Sequence, residues 1–324
     1  MQPTKTSQNV LILGARGKFG SHAQAAFEAA GWRTHCFQRG QDDLMQAAQG
    51  MDVIVMGWNP VDYSRWKAEL LPMHEAVIAA ASAAGATVIL PGNVYVFGPA
   101  SPPVWSLQTP HRATNPLGQL RIKVEQMYRT APCRVILLRC GDFIDTRPSG
   151  NWFDQIITRP LARGRITYPG PADRPHAWAY LPDAARAAVA LAKIREDLAG
   201  FEDVPFPGYT LTGGELAAAL ASALGRPVRV ARFHWLIVTL LRPVMAGASG
   251  LIEMRYLWEK PQRLDSARLA QLLPDWQPTP LPEALEAVTD SLPGRARRRP
   301  SDRGAKHHPT SRGKRKLHLD HRGG

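Results

Sequence analysis

The stretch VLILGARGKFG, residues 10–20, decides the predicted fold. The apolar run 10–13 predicts a buried β-strand, and the Ala-rich segment 18–30 predicts an α-helix that ends at Gly31. Glycines between them permit positive φ angles and a close approach of the backbone to a phosphate, to which the helix N-terminus offers free N–H groups. The stretch therefore predicts a strand–turn–helix that binds the pyrophosphate of a nucleotide. The residues assigned to this site are Gly14, Arg16, Gly17, Lys18, Phe19 and Gly20.

The same alternation of apolar strands and helices continues to residue 141. Further strands are predicted at 32–37, 52–57, 87–92 and 134–141, and further helices at 42–49, 62–84 and 115–129. Near-continuous Val, Ile and Leu strands separated by helices are typical of a parallel sheet that is covered on both faces. We therefore predict an α/β fold whose residues 1–145 form a Rossmann-type, doubly wound parallel sheet that binds a nucleotide.

The composition changes after about residue 145. Proline and glycine become frequent, and helical patterns dominate from Pro182 onward. This change predicts a smaller, mostly helical C-terminal substrate lobe over residues 146–291, with a return of its later segments to the sheet left open.

The last segment, 292–324, is strongly basic. It holds eleven Lys and Arg against two Asp, so it carries +9 of the net charge of +13 and leaves +4 for the rest of the chain. With almost no apolar residues it cannot offset the entropy cost of ordering, which predicts a disordered tail. Nucleic acid is therefore expected as a partner only through this tail; an anionic membrane surface and a merely solvated tail are the alternatives.

The remaining composition is that of an ordinary soluble globular protein, with 44% hydrophobic and 21% charged residues. Three cysteines without paired spacing indicate neither a disulfide framework nor a metal site. The most apolar later stretch, WLIVTLLRPVMAGASGLI, is interrupted by Arg242 and Pro243, and the N-terminus lacks a signal-peptide pattern. We therefore expect no membrane partner and a cytoplasmic location.

The end of the second predicted strand indicates which dinucleotide binds. NAD sites carry an acid there for the ribose hydroxyls, whereas NADP sites need a cation for the 2′-phosphate. This chain has Gln38 followed by Arg39, and Arg16 lies within the glycine-rich loop. Because guanidinium pairs well with phosphate, the sequence predicts NADP(H) in preference to NAD(H). Two ordinary surface arginines are the alternative.

Four segments together resemble a known family. GARGKFG (14–20), ILPGNVYVFG (89–98), RVILLRCGDFI (134–144) and HAWAYLPDAARAAVAL (176–191) are similar to segments of the extended or atypical short-chain dehydrogenase/reductases, and most of all to the NAD-dependent epimerase/dehydratase-like proteins. The resemblance covers about residues 8–290. It implies a Rossmann-type domain with a small substrate lobe, hydride transfer with nicotinamide, a Ser with a Tyr-x-x-x-Lys pair, and pairing into a homodimer.

The catalytic residues of that family are not all present. Asn93 stands where the Ser is expected, and Leu117 and Arg121 stand at the Tyr and Lys positions. The resemblance then leaves Arg121 to hold the nicotinamide ribose and Asn93 to donate a hydrogen bond to a carbonyl. Tyr95 is the candidate phenolic acid because strand alternation would place it on the same face as Asn93; a packed structural tyrosine is the alternative. The candidate catalytic residues are thus Asn93, Tyr95 and Arg121.

Five further residues are candidates for the substrate pocket. Asn59 and Tyr63 follow the third predicted strand, where cofactor and substrate meet in such folds. Asp142 and Phe143 follow the fifth strand, and His176 lies in a segment that resembles the family's route into the substrate lobe. Together these predictions describe an NADP(H)-dependent oxidoreductase or epimerase-like protein that acts on a small carbonyl, hydroxyl or sugar-derived molecule. The alternative is a non-catalytic NADP(H)-binding redox sensor or regulator.

Overall fold

The computed structural model describes residues 8–60 and 62–291, so the predicted basic tail lies outside the described residues. The first elements, in chain order, are β1 (Asn9–Leu13), α1 (Lys18–Ala29), β2 (Arg33–Phe37), α2 (Leu44–Ala47), β3 (Val53–Met56), α3 (Tyr63–Ala84), β4 (Thr87–Gly92), β5 (Val104–Trp105), α4 (Pro116–Arg129), β6 (Val135–Arg139) and β7 (Asp142–Ile144). They are followed by β8 (Arg165–Tyr168), β9 (His176–Tyr180), α5 (Leu181–Lys193), β10 (Phe201–Pro205), β11 (Tyr209–Leu211), α6 (Gly213–Leu224), β12 (Arg229–Arg232), α7 (Trp235–Leu241), α8 (Ala248–Glu253), α9 (Tyr256–Glu259), β13 (Arg263–Leu264), α10 (Ala267–Leu272) and α11 (Leu281–Asp290). Short π or 3-10 turns occupy Phe153–Ile157, Leu161–Arg163 and Arg195–Asp197.

Six parallel strands form the central sheet in the order β10-β6-β4-β3-β1-β2. From β1, the chain moves to one neighbour for β2 and to the opposite neighbour for β3. This change of direction creates a crevice at the carboxyl ends of β1 and β3, which is where open α/β sheets bind ligands. The predicted α/β class and the Rossmann-type sheet are confirmed.

Both faces of the sheet are covered by helices, as continuous apolar strands require. On one face, α1 and α5 pack on a cluster that includes Val10, Ile12 and Phe27. On the other face, α3 and α4 pack on a cluster that includes Leu11 and Ile54. Alternate residues of β1 thus supply opposite cores, which is what a strand in the middle of a sheet does.

The chain beyond residue 145 contributes to two parts of the molecule. Helix α5 packs against α1 on one face of the Rossmann sheet, and strand β10 joins the sheet beside β6. The sequence had left open whether later segments return to the sheet. The remainder builds a third core cluster, in which α6 packs against α11 and small two- and three-stranded sheets pair β12 with β8 and β9 with β7 and β11. The lobe therefore contains short strands as well as helices. In the described ranges, no helix is both long and apolar enough to span a bilayer.

Candidate active site

The glycine-rich loop joins β1 to α1 by close backbone contacts. Gly14 has a φ angle of +81°, and its carbonyl accepts a hydrogen bond of 2.8 Å from the Gly17 N–H. A Cβ atom on Gly20 would lie 2.2 Å from the Gly14 oxygen, and one on Gly57, just after β3, would lie 2.5 Å from the Leu13 oxygen. Side chains at these positions would therefore separate α1 from the ends of β1 and β3. The predicted strand–turn–helix is present, and Gly57 is a third contact that the sequence analysis did not assign.

The N-terminus of α1 carries no side-chain cap. Its N-cap residue is Gly17, and its first turn contains no acidic residue, so the positive end of the helix dipole has no side-chain anion on its own first turn. Arg16 is exposed beside it. Burial lowers the pKa of Lys18, while the charges of Asp154 and Asp142 oppose that shift. Phe19 is 4% exposed and packs in the core, so only its backbone is available to a ligand.

The Arg39 side chain lies over the ring of Trp58, which borders the glycine-rich loop. Its guanidinium carbon lies 4.8 Å from the centre of the Trp58 ring, which in turn meets Phe37 edge to face. The Trp58 Cδ1 atom would lie 3.1 Å from a Cβ on Gly14, so this indole borders the glycine-rich loop. Trp58 is a residue that the sequence analysis missed; an aromatic directly after the glycine that ends the third strand was the available signal.

A carboxylate also reaches this part of the chain. The Gln38 N–H donates a 2.7 Å hydrogen bond to Asp42 Oδ2, so an acid four residues downstream supports the backbone where an NAD site would carry its own acid. Arg39 and Asp42 therefore flank the same turn with opposite charges.

Asn59 and Arg121 contact one another. Arg121 Nη2 donates to Asn59 Oδ1 at 2.6 Å, and its guanidinium carbon lies 4.2 Å from the centre of the Trp66 ring. Arg121 is only 6% exposed, and burial lowers its pKa. Its Nε atom is buried and has no hydrogen-bond partner among the described residues. A buried donor without a partner costs free energy, so this group favours an additional acceptor.

Tyr63 and Tyr95 form a hydroxyl pair, with 2.7 Å between the two Oη atoms. Tyr95 also stacks on Trp66, so the phenols and the Arg121 guanidinium share one aromatic platform. Burial raises the pKa of both phenols, most strongly for Tyr95; the charge of Asp142 adds to the shift and that of Arg121 opposes it. Both hydroxyls are therefore protonated at neutral pH and act as donors rather than as bases.

The predicted position of Tyr95 on a strand, on the same face as Asn93, is wrong. Strand β4 ends at Gly92, so Asn93 and Tyr95 lie in the following turn and not on a strand face. The Tyr95 N–H donates to Asn93 Oδ1 at 3.0 Å, and Arg139 donates to the Asn93 carbonyl at 2.9 Å. Asn93 thus shapes the turn that holds Tyr95, and its Nδ2 amide is the group left to donate elsewhere.

A second polar group lies at the start of the lobe. His176 Nε2 and Asp142 Oδ2 are 2.8 Å apart, and Gln262 Nε2 lies 3.0 Å from His176 Nδ1. Because an amide nitrogen only donates, Nδ1 accepts and Nε2 donates to Asp142. The imidazole is also stacked on Trp258 at 4.2 Å, so its orientation is fixed from three sides. Phe143 is half-buried against the core on the α1 side of the sheet.

The position of the family's tyrosine is part of the core in this chain. Leu117 is 5% exposed, and its N–H donates to Glu253 Oε1 of α8 at 2.6 Å. Asn115 donates to the same oxygen through Nδ2. Glu253, which belongs to α8, therefore caps the N-terminus of α4. The buried Leu117 packs in the core, where the family's tyrosine would donate a proton.

One group of residues has the composition of a metal site, but it already surrounds a cation. His111, Glu125 and Asp203 bring their ligand atoms within 4.8 Å of one another. Arg139 donates two hydrogen bonds of 2.8 Å to Glu125 and two, of 2.6 and 3.3 Å, to Asp203. Its guanidinium supplies the positive charge that a metal would bring, so this group is a buried ion network.

The site fits a dinucleotide at two places. The contacts of Gly14, Gly20 and Gly57 leave a side-chain-free surface beside the uncapped N-terminus of α1, which suits a pyrophosphate. The unpaired Nε of Arg121 suits a hydroxyl acceptor such as a ribose oxygen. Of the predicted residues, Asn59 pairs with Arg121, Tyr63 pairs with Tyr95, and Asp142 pairs with His176.

Comparison with known proteins identifies the fold but no close relative. No family model matches the chain, and no curated protein matches its sequence. Among solved structures, a UDP-glucuronic acid 4-epimerase from Bacillus cereus, in complex with UDP-glucuronic acid and NAD, is 16% identical with a TM-score of 0.67; the match covers 88% of this chain and 98% of that one. MoeE5, in complex with UDP-glucose and NAD, is 17% identical with a TM-score of 0.67, over 87% of this chain and 98% of that one. A nucleoside-diphosphate-sugar epimerase from Staphylococcus aureus is 19% identical with a TM-score of 0.59, over 86% of this chain and all of that one.

These identities are low, so the likeness speaks for the architecture. It extends over the Rossmann sheet and the lobe together, because nearly the full length of each neighbour is matched. The chain thus shares the overall fold of these three solved structures, as the four sequence segments had indicated.

Proposed function

We propose that this chain is a nicotinamide-dependent oxidoreductase or epimerase-like enzyme that acts on a sugar-derived substrate. The observation that carries the proposal is the cluster of Asn59, Tyr63, Tyr95 and Arg121, which lie in the segments after β3 and β4, at the start of α3 and on α4. It brings two protonated hydroxyls and one buried cation together on the edge of the sheet where such folds bind their ligands. This is a second way to supply the donors that Tyr-x-x-x-Lys supplies elsewhere.

The cofactor that suits the loop is NADP(H). Gly14, Gly17 and the N-terminus of α1 would hold the pyrophosphate, and Arg121 would hold the nicotinamide ribose. Arg39, supported on Trp58, would pair with the 2′-phosphate, and the exposed Arg16 adds positive charge nearby. Two of the solved neighbours named above hold NAD, so this preference is specific to the present chain and rests on its arginines. When bound, the nicotinamide supplies or accepts the hydride.

The residues of the chain then provide the hydrogen bonds and the proton. Tyr95 donates from a hydroxyl with a raised pKa to a substrate oxygen, and Tyr63 holds that hydroxyl in place. Arg121 favours any negative charge that develops on the same oxygen, since its charge already opposes the rise in the pKa of both phenols. Asp142, oriented by His176, offers a carboxylate oxygen to a substrate hydroxyl.

The substrates to test first are the nucleotide sugars that the neighbours hold. The full-length protein is incubated with NADP+ and, separately, UDP-glucose or UDP-glucuronic acid, and both the reduced cofactor and epimerised sugars are measured. The Tyr95→Phe variant is expected to lose about 100-fold or more in kcat with an unchanged affinity for NADPH. Tyr209→Phe is the matched control, because Tyr209 hydrogen-bonds Thr279 in the lobe instead. Full turnover by Tyr95→Phe would remove Tyr95 from the mechanism.

A second candidate function is a non-catalytic NADP(H) sensor or regulator. The buried Leu117 at the family's tyrosine position favours it, because that residue exchanges no proton. Tight NADPH binding without turnover of any nucleotide sugar, in wild type and variants alike, would support the sensor and count against the enzyme.

A further inference from the structure

Helix α7 presents an apolar surface to solvent. Trp235 and Val238 face inward into the core of the lobe, whereas the side chains between and after them face outward. Leu240 is 70% exposed and Val244, in the turn after the helix, is 81% exposed. We call this the α7 surface; it consists of Leu236, Ile237, Leu240, Leu241 and Val244.

The α7 surface holds most of the large hydrophobic side chains that are exposed among the described residues. Among the described residues, only Met45, Leu107 and Val230 are other large hydrophobic side chains with comparable exposure, and Val230 lies in β12, which leads directly into α7. Single exposed apolar residues are normal, but a contiguous exposed group is typical of a docking surface.

The chain segment that carries the α7 surface is basic and contains no acidic residue. No Asp or Glu occurs from residue 216 to residue 252, a segment that contains α7 and most of α6 and α8. Arg229 and Arg232 of β12 are exposed just before α7, and Arg242 is exposed just after it. In the neighbouring strand β8, the exposed Arg165 pairs in register with Arg229. An apolar ridge is thus bordered by arginines on both sides along the chain.

We propose that the α7 surface docks this protein on an anionic lipid bilayer. Apolar side chains flanked by arginines match the boundary between acyl chains and negatively charged headgroups, where a peripheral helix lies in the plane of the membrane. A second copy of the chain fits less well, since a two-fold interface would bring the same arginines against each other. The site is a surface contact, which requires no spanning helix.

The test is co-sedimentation of the full-length protein with vesicles of phosphatidylcholine, with and without phosphatidylglycerol. Wild type is expected to sediment with the anionic vesicles and to be released from them by salt. The double variant Leu236→Gln/Leu240→Gln is expected to lose about tenfold or more in partitioning. Arg229→Gln/Arg232→Gln is expected to lose about tenfold on anionic vesicles only.

The matched control is Met45→Gln/Leu107→Gln, which removes exposed apolar side chains elsewhere and is expected to bind as wild type does. All variants keep the basic segment 292–324, and thermal unfolding shows that each is folded. Wild-type binding by the Leu236→Gln/Leu240→Gln variant would assign lipid attraction to another region and overturn the proposal. No sedimentation of wild type would overturn it as well. So would a wild-type dimer that binds no vesicles and becomes monomeric in this variant, since a second copy would then be the occupant.

Discussion

At the scale of single residues, the hydroxyl pair of Tyr63 and Tyr95 is the contact on which the proposed chemistry depends. Removing either hydroxyl leaves the other without this partner, so the two substitutions are expected to be non-additive. Urea unfolding of Tyr63→Phe, Tyr95→Phe and the double variant should give a coupling energy of about 1 kcal/mol. The pair Tyr95→Phe and Tyr209→Phe serves as the control and should be additive. Additivity in both pairs would mean that the hydroxyls do not meet.

Arg39 carries the predicted discrimination between the two dinucleotides. A guanidinium–phosphate pair is lost in Arg39→Ala, so NADPH should bind about tenfold to 100-fold more weakly while NADH changes by less than about twofold. Fluorescence titration of both cofactors measures this. Arg33→Ala, at the exposed start of β2, is the control and should leave both affinities unchanged. A parallel loss of both affinities in Arg39→Ala would contradict the assignment to the 2′-phosphate.

His74 makes the stability of the fold depend on pH. Burial, reinforced by the charge of Arg121, lowers the pKa of His74 from 6.5 to about 3, and its Nδ1 lies 3.0 Å from the Tyr128 hydroxyl. Below about pH 6.5 the His74 imidazole becomes protonated in the unfolded chain but stays neutral in the folded chain. The free energy of unfolding therefore decreases as the pH falls from about 6.5 toward the folded pKa of about 3. At about pH 5 the loss from this group should be about 2 kcal/mol.

The measurement is urea unfolding at about pH 7.5 and about pH 5. The variant His74→Phe/Tyr128→Phe removes the titrating group together with its hydrogen-bond partner, and the difference between the two pH values should shrink by about 2 kcal/mol. An equal drop in wild type and variant would show that His74 does not carry the effect.

From the sequence, candidate-site residues could be chosen only where the side chain itself has a suitable polar or charged group. Arg121, Tyr63 and Asn59 were chosen as candidates from their places after strands or on the expected helix. In the structure Arg121 contacts Asn59, and Tyr63 contacts Tyr95. The role of Gly57 was not predictable, because it depends on a contact with Gly20 between segments far apart in sequence. Nor was the Gln262–His176 contact, which joins residues 86 positions apart.

At the scale of elements, α8 supports the site by capping α4. Glu253 accepts from the Leu117 N–H and from Asn115 Nδ2, so it replaces the cap that the Asn115 side chain does not provide. Glu253→Ala should cost about 1–2 kcal/mol in the free energy of unfolding. Glu286→Ala, an exposed position in α11, is the control and should cost less than about 0.5 kcal/mol. Equal effects of the two would show that the cap contributes nothing.

Element types were predictable where the period was regular, and their ends were less so. The long apolar strands and α3 agree within one or two residues with the predicted ranges. The segment 42–49 yields only the four-residue α2, because the Asp43 side chain begins the helix and a glycine follows its end. The strand predicted at 134–141 ends at Arg139 as β6, and a separate strand, β7, begins just after Gly141, where a Cβ would lie 2.2 Å from the Ala177 oxygen.

At the scale of the whole molecule, the topology was predictable and the arrangement of charge was only partly so. Alternating strands and helices predict a parallel sheet on their own, but its sixth strand, β10, comes from the chain beyond residue 145, whose return to the sheet was left open. The basic segment 292–324 was visible in the composition but lies outside the described residues. The absence of acidic residues from 216–252 is visible in the sequence, but the exposure of the apolar side chains of α7 beside these arginines is visible only in the structure. Burial patterns of a short helix depend on its neighbours, which sequence period alone does not specify.

The most direct test of the central claim is a structure of this protein with NADPH bound. We expect the pyrophosphate at the N-terminus of α1, the 2′-phosphate at Arg39, and Arg121 on the nicotinamide ribose. We also expect the Tyr95 hydroxyl within hydrogen-bond reach of the substrate oxygen whose carbon lies about 3–3.5 Å from the reactive nicotinamide carbon. A nicotinamide placed away from Tyr95 and Arg121, with no hydrogen-bonding group near its reactive carbon, would contradict the proposed enzyme.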